Sequence, residues 1–191
     1  MRTGAWAAAA PLGLVILVGG AMSSTEATGA VSPTASRPYP TDVPAPAVPY
    51  EGPSTGCALP DPTGTGGCVT GATAWMLGQV DHAFGQLPTS CWDAHAWNPT
   101  SDHPRGKGCD VTFGRLGDFP GPADTARGWL LAHWFEANAE ALHVSYVIWQ
   151  GRIWSSSRDD EGWRAYSGGG VYDASEPTGG HYDHVHVSLE D

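Results

Sequence analysis

The stretch Val144-Ser145-Tyr146-Val147-Ile148-Trp149-Gln150-Gly151-Arg152-Ile153-Trp154 decides the fold class of this 191-residue chain. Its first six residues are mainly β-branched and aromatic, the composition of a strand that packs against a core. Gln150-Gly151 then separates them from a second short run at the spacing of a two-residue turn. The stretch therefore predicts a β-hairpin, and with it an antiparallel sheet.

Further strands and helices are predicted on both sides of the hairpin. Residues 109–113 and 184–189 alternate between polar and apolar side chains, as short strands do. Residues 70–84 carry apolar side chains at the three-to-four spacing of an amphipathic helix, and residues 121–142 begin with the Gly-Pro of a helix start. Because helices and strands do not alternate as regular βαβ units, we predict an α+β domain with a small antiparallel sheet and flanking helices.

The N-terminal residues 1–30 have the features of a secretory signal peptide. Arg2 supplies a positive charge, residues 5–18 are apolar, and small residues follow. The apolar run is shorter than the roughly 20 residues that a membrane-spanning helix needs, although an uncleaved anchor is the alternative. With cleavage after Ala21 or Ala30, the mature protein is expected to be secreted or held at the cell surface.

The rest of the chain divides into a linker and one domain. Residues 31–56 are rich in proline, serine, threonine and alanine and have too little apolar mass for a core, so they predict an extended, semi-rigid linker. Residues 57–191 are long enough to bury a single core.

All four cysteines fall inside the predicted domain. An even number of cysteines in an exported chain predicts two disulfides, and three pairings are possible. Short loops favour Cys57 with Cys68 and Cys91 with Cys109. Zinc ligation by cysteine is the rival interpretation, but no C-x-x-C spacing supports it.

The net charge of −11 excludes some partners. Long-range repulsion opposes binding to nucleic acid and to an anionic membrane surface. We therefore expect no nucleic-acid partner, and no stable membrane partner once the signal peptide is removed.

Two segments carry side chains suited to metal binding. The first places His103 and Asp110 seven positions apart with glycines between them, and the second, residues 181–187, contains three histidines and an aspartate. Imidazole nitrogens and carboxylate oxygens are good zinc ligands. The two segments are therefore candidates for a zinc site.

Strand geometry supports this interpretation in part. Alternate residues of a strand share a face, so His184 and His186 would point one way, and Asp110 and Thr112 would do the same on their own strand. Any half-exposed strand shows the same alternation. Periodicity alone therefore does not establish a metal site.

The pattern Ser101-x-His103-x-x-Gly106-x-x-x-Asp110 resembles the first signature of the zinc D-Ala-D-Ala peptidase superfamily. This M15-like superfamily contains D,D-carboxypeptidases, D,D-dipeptidases and murein endopeptidases, and shares its fold with the hedgehog signalling domain. Gly108 stands where the family usually has alanine, a small-for-small departure. The wider run 57–191 is similar to a branch of secreted actinobacterial proteins in that superfamily.

The second signature is carried by the closing segment, in which Asp183-x-x-His186 and His184-x-His186 overlap. The resemblance implies that zinc is held by His103, Asp110 and His186. Three protein ligands leave a fourth position for water, which distinguishes a catalytic zinc from a structural one.

A general base must then take a proton from the attacking water and return it to the leaving amine. The resemblance assigns this role to Asp183, with His181 close by. The strand-face argument instead favours His184, which should stand beside His186. The two agree only if the last strand begins after Asp183, so that its carboxylate can turn towards the metal.

Further arginine, tryptophan and histidine residues are candidates for roles around the site or in the core. Superfamily members often use an arginine to neutralise a substrate carboxylate or the developing oxyanion, and four arginines qualify equally: Arg105, Arg152, Arg158 and Arg164. One or two tryptophans are expected to line the cleft, and most to lie in the core. Four histidines are expected to be structural or superficial: His82, His95, His133 and His143.

The leading functional hypothesis is a secreted zinc-dependent peptidase that acts on the peptides of bacterial peptidoglycan, at bonds involving D-amino acids, as the resemblance implies. A second hypothesis is a non-catalytic module of the same fold that contains zinc and binds the cell wall. A third is a protein that sequesters copper or zinc, because His-x-His also suits copper.

Overall fold

The computed structural model describes residues 44–191, so the predicted signal peptide and the first part of the predicted linker lie outside the described residues. No helix among residues 44–191 is both long and apolar enough to span a bilayer. The strands are β1 (Leu59–Pro60), β2 (Cys68–Val69), β3 (Thr89–Ser90), β4 (Gly108–Thr112), β5 (Val144–Trp149), β6 (Arg152–Ser155), β7 (Arg164–Ala165) and β8 (His184–Leu189). The α-helices are α1 (Gly71–Phe84), α2 (Pro122–Ala137) and α3 (Ala139–Leu142).

Six of the strands form one antiparallel sheet in the order β3-β4-β8-β5-β6-β7, and β1 pairs with β2 in a separate two-stranded sheet. The predicted α+β class is therefore confirmed. The last strand of the chain, β8, lies in the middle of the large sheet between β4 and β5. This position brings the two sequence segments with metal-binding side chains onto neighbouring strands.

The predicted hairpin is confirmed as β5 and β6. Ile148 pairs with Ile153, and Trp149 pairs with Arg152 across the turn. Gln150 and Gly151 both have positive φ, 51° and 66°, as a type I′ turn requires at its two central positions.

Helix α1 is confirmed at its predicted place. Thr70 is its N-cap, and the Thr70 hydroxyl accepts a hydrogen bond from the Thr73 backbone N–H. This contact satisfies one of the N–H groups that the first turn of a helix leaves without a partner. The helix therefore starts one residue after the first predicted position.

The prediction of one continuous helix over residues 121–142 is wrong, because the helix breaks at Asn138. Its backbone leaves the helical region, with φ −111° and ψ 20°. The Asn138 side chain donates to the Trp134 carbonyl and accepts from the Ala47 N–H. An asparagine side chain competes in this way for backbone partners, which favours a break over a continuous helix.

Helix α2 packs on one face of the sheet, as predicted. A β-carbon added at Gly128 would come within 2.2 Å of the Trp149 ring, so the glycine allows the helix to approach the sheet closely. Val185 and Val187 of β8 are fully buried in the core. Because side chains alternate along a strand, the histidines of β8 belong to the opposite face.

The favoured disulfide pairing is confirmed, with bonds between Cys57 and Cys68 and between Cys91 and Cys109. Structural disulfides persist in oxidising compartments, so both bonds support an extracytoplasmic location.

The described part of the predicted linker, residues 44–56, makes specific contacts with the helices. The Trp134 indole N–H donates to the Ala45 carbonyl, and the Tyr50 N–H donates to the Ala141 carbonyl. This segment is therefore held against α2 and α3 by hydrogen bonds.

Candidate metal centre

The three predicted ligands come together from two strands and one short turn. Asp110 of β4 lies directly opposite His186 of β8 in the strand register. His103 begins a single 3₁₀ turn, His103–Arg105, just before β4. One ligand atom from each of the three residues lies within 4.8 Å of the others, so the group could hold a metal ion.

The glycines of the first segment shape this turn. Gly106 ends the turn with φ 67°, and a β-carbon there would lie 2.6 Å from the Cys68 carbonyl oxygen. A side chain is therefore excluded by both conformation and space. At Gly108 a β-carbon would lie 3.3 Å from Cε1 of His186, so the alanine usual in the superfamily would press on this ligand ring.

Of the two ring nitrogens of His103, Nδ1 is already hydrogen-bonded. Its Nδ1 donates a hydrogen bond to the Cys91 carbonyl, and its Nε2 lies 3.4 Å from Oδ2 of Asp110. A metal-ligating histidine typically makes such a contact through its second nitrogen, because it fixes the tautomer and the ring orientation. His103 is thus set to offer Nε2 to an ion.

His186 turns its Nδ1 towards Asp110, whereas His103 turns its Nε2 towards it. The His186 Nδ1 lies 2.8 Å from Oδ1 of Asp110, and its Nε2 lies 3.0 Å from the Ser188 hydroxyl. The Tyr146 ring stacks on the His186 ring at 5.4 Å between centroids. Nδ1 is therefore the nitrogen available to an ion, and Ser188 can accept the proton of the tautomer that ligation needs. This donor set fits a divalent metal such as zinc.

The Asp110 carboxylate strongly affects the protonation of the three candidate ligands. Burial opposes the charge of Asp110, but His184, His103 and His186 together hold its pKa well below its usual value. Burial lowers the pKa of His186 and outweighs the attraction of Asp110. For His103, burial is instead outweighed by its contact with Asp110, which raises its pKa. Of the three candidate ligands, His103 is thus the one that most readily holds a proton.

For a divalent ion such as zinc held by this candidate group, the affinity is expected to fall as the pH falls below the raised pKa of His103. Zinc needs the unprotonated imidazole, so each unit of acidification should weaken binding by about tenfold where one proton is displaced. Competition titrations with a chromophoric chelator between about pH 8 and pH 5.5 would measure the slope. An affinity that stays constant over this range would exclude a histidine ligand of raised pKa.

His184 stands beside the three candidate ligands and is hydrogen-bonded to Asp183. The His184 Nδ1 donates to Oδ1 of Asp183 at 2.6 Å, and its Nε2 lies 3.6 Å from Oδ1 of Asp110. Burial opposes protonation of His184, but Asp110 and Asp183 outweigh it and raise its pKa. The Asp183 contact places the lone pair of neutral His184 on Nε2, on the side of the metal group.

Asp183 lies in the turn before β8, since the strand begins at His184. Its carboxylate is fully buried and is occupied on its other oxygen by the Thr178 hydroxyl at 2.7 Å and the Gly117 N–H at 2.6 Å. Burial opposes its charge, but these contacts with that from His184 lower its pKa. Asp183 is therefore an ionised carboxylate that orients His184. It does not line the cavity beside the candidate ligands, as far as the structure describes that cavity.

A cavity of about 300 Å³ opens beside the candidate ligands. His181 lines it together with His184 and His186, and the His181 ring lies 4.6 Å from the His184 ring. Burial, followed by the neighbouring histidines, holds the pKa of His181 well below its usual value, so His181 is neutral. Its buried Nδ1 has no hydrogen-bond partner among residues 44–191.

His95, which was expected to be structural or superficial, lines the same cavity. Its Nδ1 lies 2.6 Å from the Ser101 hydroxyl, and its ring lies 4.7 Å from that of His103. Trp97 packs next to it, is 63 % exposed, and is the tryptophan that lines the cavity. The loop from Cys91 to His103 has no regular period, so strand and helix patterns could not have placed either residue.

The four candidate arginines lie elsewhere. Among the described residues that line the cavity there is neither arginine nor lysine. The Arg105 guanidinium lies 3.4 Å from the Asp102 carboxylate and donates to the Thr100 carbonyl. Arg158 pairs with Glu161 on an exposed turn. The cavity wall described here is therefore rich in histidine and aromatic side chains and contains no arginine or lysine.

Comparison with known families assigns the chain. Residues 65–182, more than half of its length, match the family described as VldE, C-terminal domain, and the chain belongs to this family. The matched range contains His103 and Asp110 and ends directly before Asp183. Neither the curated proteins nor the solved structures gave a match to this chain.

Proposed function

We propose that this protein is a secreted zinc-dependent peptidase that hydrolyses peptide bonds of bacterial cell-wall peptidoglycan, at bonds involving D-amino acids. One observation carries the proposal. The three-donor group and the buried His184, which is hydrogen-bonded to Asp183, lie next to each other beside one cavity. A structural zinc site needs no such base next to its ligands. The motif resemblance to D-Ala-D-Ala peptidases supplies the substrate class.

Zinc would be held by Nε2 of His103, a carboxylate oxygen of Asp110 and Nδ1 of His186. When bound there, it supplies Lewis-acid catalysis, which acidifies water and polarises a carbonyl. Three protein donors match the ligand number of catalytic zinc sites.

His184 is the proposed general base. Its Nε2 bears the lone pair because Nδ1–H is given to Asp183, and it takes the proton of the attacking water and returns it to the leaving amine. Asp183 keeps the ring in this tautomer, the role of the buried aspartate in a serine protease triad. This proposal replaces the expectation that Asp183 itself is the base, because the Asp183 carboxylate is committed to three donors.

His181 is the proposed partner of the substrate carbonyl. It is neutral at physiological pH, lines the cavity, and has a buried nitrogen without a partner in the described chain. A neutral imidazole can donate a hydrogen bond to the carbonyl oxygen as negative charge develops there.

The test is incubation of purified protein with purified peptidoglycan. We expect release of new amino groups and of peptide fragments, loss of this release after chelation, and its recovery when zinc is added back. If the protein binds peptidoglycan and zinc but releases nothing, the peptidase proposal fails and the wall-binding module is supported. If tight Cu(II) binding survives the exchange Asp110→Asn, the protein sequesters copper through its histidines.

A further inference from the structure

The disulfide between Cys91 and Cys109 connects the supports of two candidate metal ligands. On one side, the Cys91 carbonyl accepts the hydrogen bond from Nδ1 of His103. On the other side, Cys109 directly precedes Asp110 on β4. The bond joins these two points across β3 and β4. Both sulfur-bearing residues are fully buried.

The other restraints on the backbone around Cys91 are non-covalent. Strand β3 has two residues and pairs with β4 only at Thr89 and Ser90. Beyond Cys91 the chain enters the irregular loop that leads to His103. Two long-range hydrogen bonds also hold this backbone: the Cys91 N–H donates to the Thr63 hydroxyl, and the Trp92 N–H donates to Asp61. A short edge strand opens readily, whereas the covalent link restrains the Cys91 carbonyl even when the pairing of β3 opens.

We infer that the Cys91–Cys109 disulfide is a positioning element of the metal centre, which holds the His103 imidazole and the Asp110 carboxylate at the mutual distance that zinc binding requires. This inference rests on the proposed metal site but not on the proposed peptidase reaction. Groups that orient metal ligands typically contribute about 10- to 100-fold to metal affinity. In consequence, the protein acquires its full zinc affinity only after oxidation of this cysteine pair.

The test compares zinc affinity in two double variants by competition with a chromophoric chelator. The variant Cys91→Ala/Cys109→Ala removes the proposed positioning bond, and Cys57→Ala/Cys68→Ala is the matched control. Alanine is preferable to reduction because free thiolates would themselves bind zinc. Within residues 44–191, neither Cys57 nor Cys68 accepts a hydrogen bond from a candidate ligand. Circular dichroism, recorded at a temperature below unfolding, verifies that each variant is folded.

We expect zinc affinity to fall by about 10- to 100-fold in Cys91→Ala/Cys109→Ala and by only a few-fold in the control. If the first variant does not fold, Cys91→Ala/Cys109→Val, which refills part of the buried volume, is expected to show the same loss. Wild-type affinity in a folded variant without the bond, or an equal loss in both double variants, would overturn the inference. If the wild-type protein fails to bind zinc, the proposed metal site falls and the inference with it.

Discussion

The exchange His186→Ala is expected to abolish tight zinc binding and the zinc-dependent release of fragments from peptidoglycan. His186 supplies one of three donor atoms and stands opposite Asp110 on the neighbouring strand. The loss should exceed the roughly 10- to 100-fold that removal of an outer-shell partner costs. Chelator competition measures the affinity, and fragment release measures the activity.

Two companion variants separate ligand loss from misfolding. Asp110→Asn keeps the size of the side chain and removes its charge, so it should also lose zinc affinity. His82→Ala removes an exposed histidine of α1, and both zinc affinity and activity should stay at the wild-type level. If His186→Ala folds and keeps wild-type zinc affinity, His186 is not a ligand.

The candidate ligands follow from the resemblance to two sequence signatures, and short-range patterns predict the strands that carry two of them. The spacing between His103 and Asp110 is a property of one loop and one strand. The alternation of His184 and His186 follows from strand geometry. The strand predictions place Asp110, His184 and His186 on strands without knowledge of how distant segments meet. The pairing of Asp110 with His186, which joins β4 to β8 over 76 positions, was not predicted.

The direction of the Asp183 carboxylate could not be predicted in the same way. It is determined by the Gly117 N–H and the Thr178 hydroxyl, which come from two separate loops. Neither loop has a period that specifies its path. The position of His95 depends likewise on an irregular loop, which is closed by a disulfide at one end and by the 3₁₀ turn of His103 at the other. Sequence reasoning fails where tertiary contacts orient a side chain.

The break at Asn138 has a related cause. The apolar pattern continues from α2 into α3, so periodicity alone predicts one helix. The Asn138 amide makes the break favourable by bonding the Trp134 carbonyl and the N–H of Ala47, a residue about 90 positions away in sequence. A long-range contact thus ends the helix at a position where the local apolar pattern predicts that it continues.

The exchange His184→Asn is expected to lower kcat/KM on peptidoglycan fragments by about 10²- to 10⁴-fold, the usual contribution of a general base. Zinc affinity should change only a few-fold, because the three donor atoms are retained. The asparagine amide nitrogen can still donate to Asp183, which keeps that buried carboxylate paired. The amide has no basic nitrogen with which to accept the proton of water.

This variant also decides between the two candidate bases. If Asp183 were the base, His184→Asn would leave most of the activity, since the carboxylate would stay ionised and paired. If His184 is the base, Asp183→Asn should lower activity as well, by up to about 10⁴-fold, the effect of the same exchange in a serine protease triad. The reason is that an asparagine can donate to Nδ1 of His184 and thereby leaves the proton on Nε2. Asp118→Asn, which alters an exposed aspartate, is the control and should keep wild-type kcat/KM.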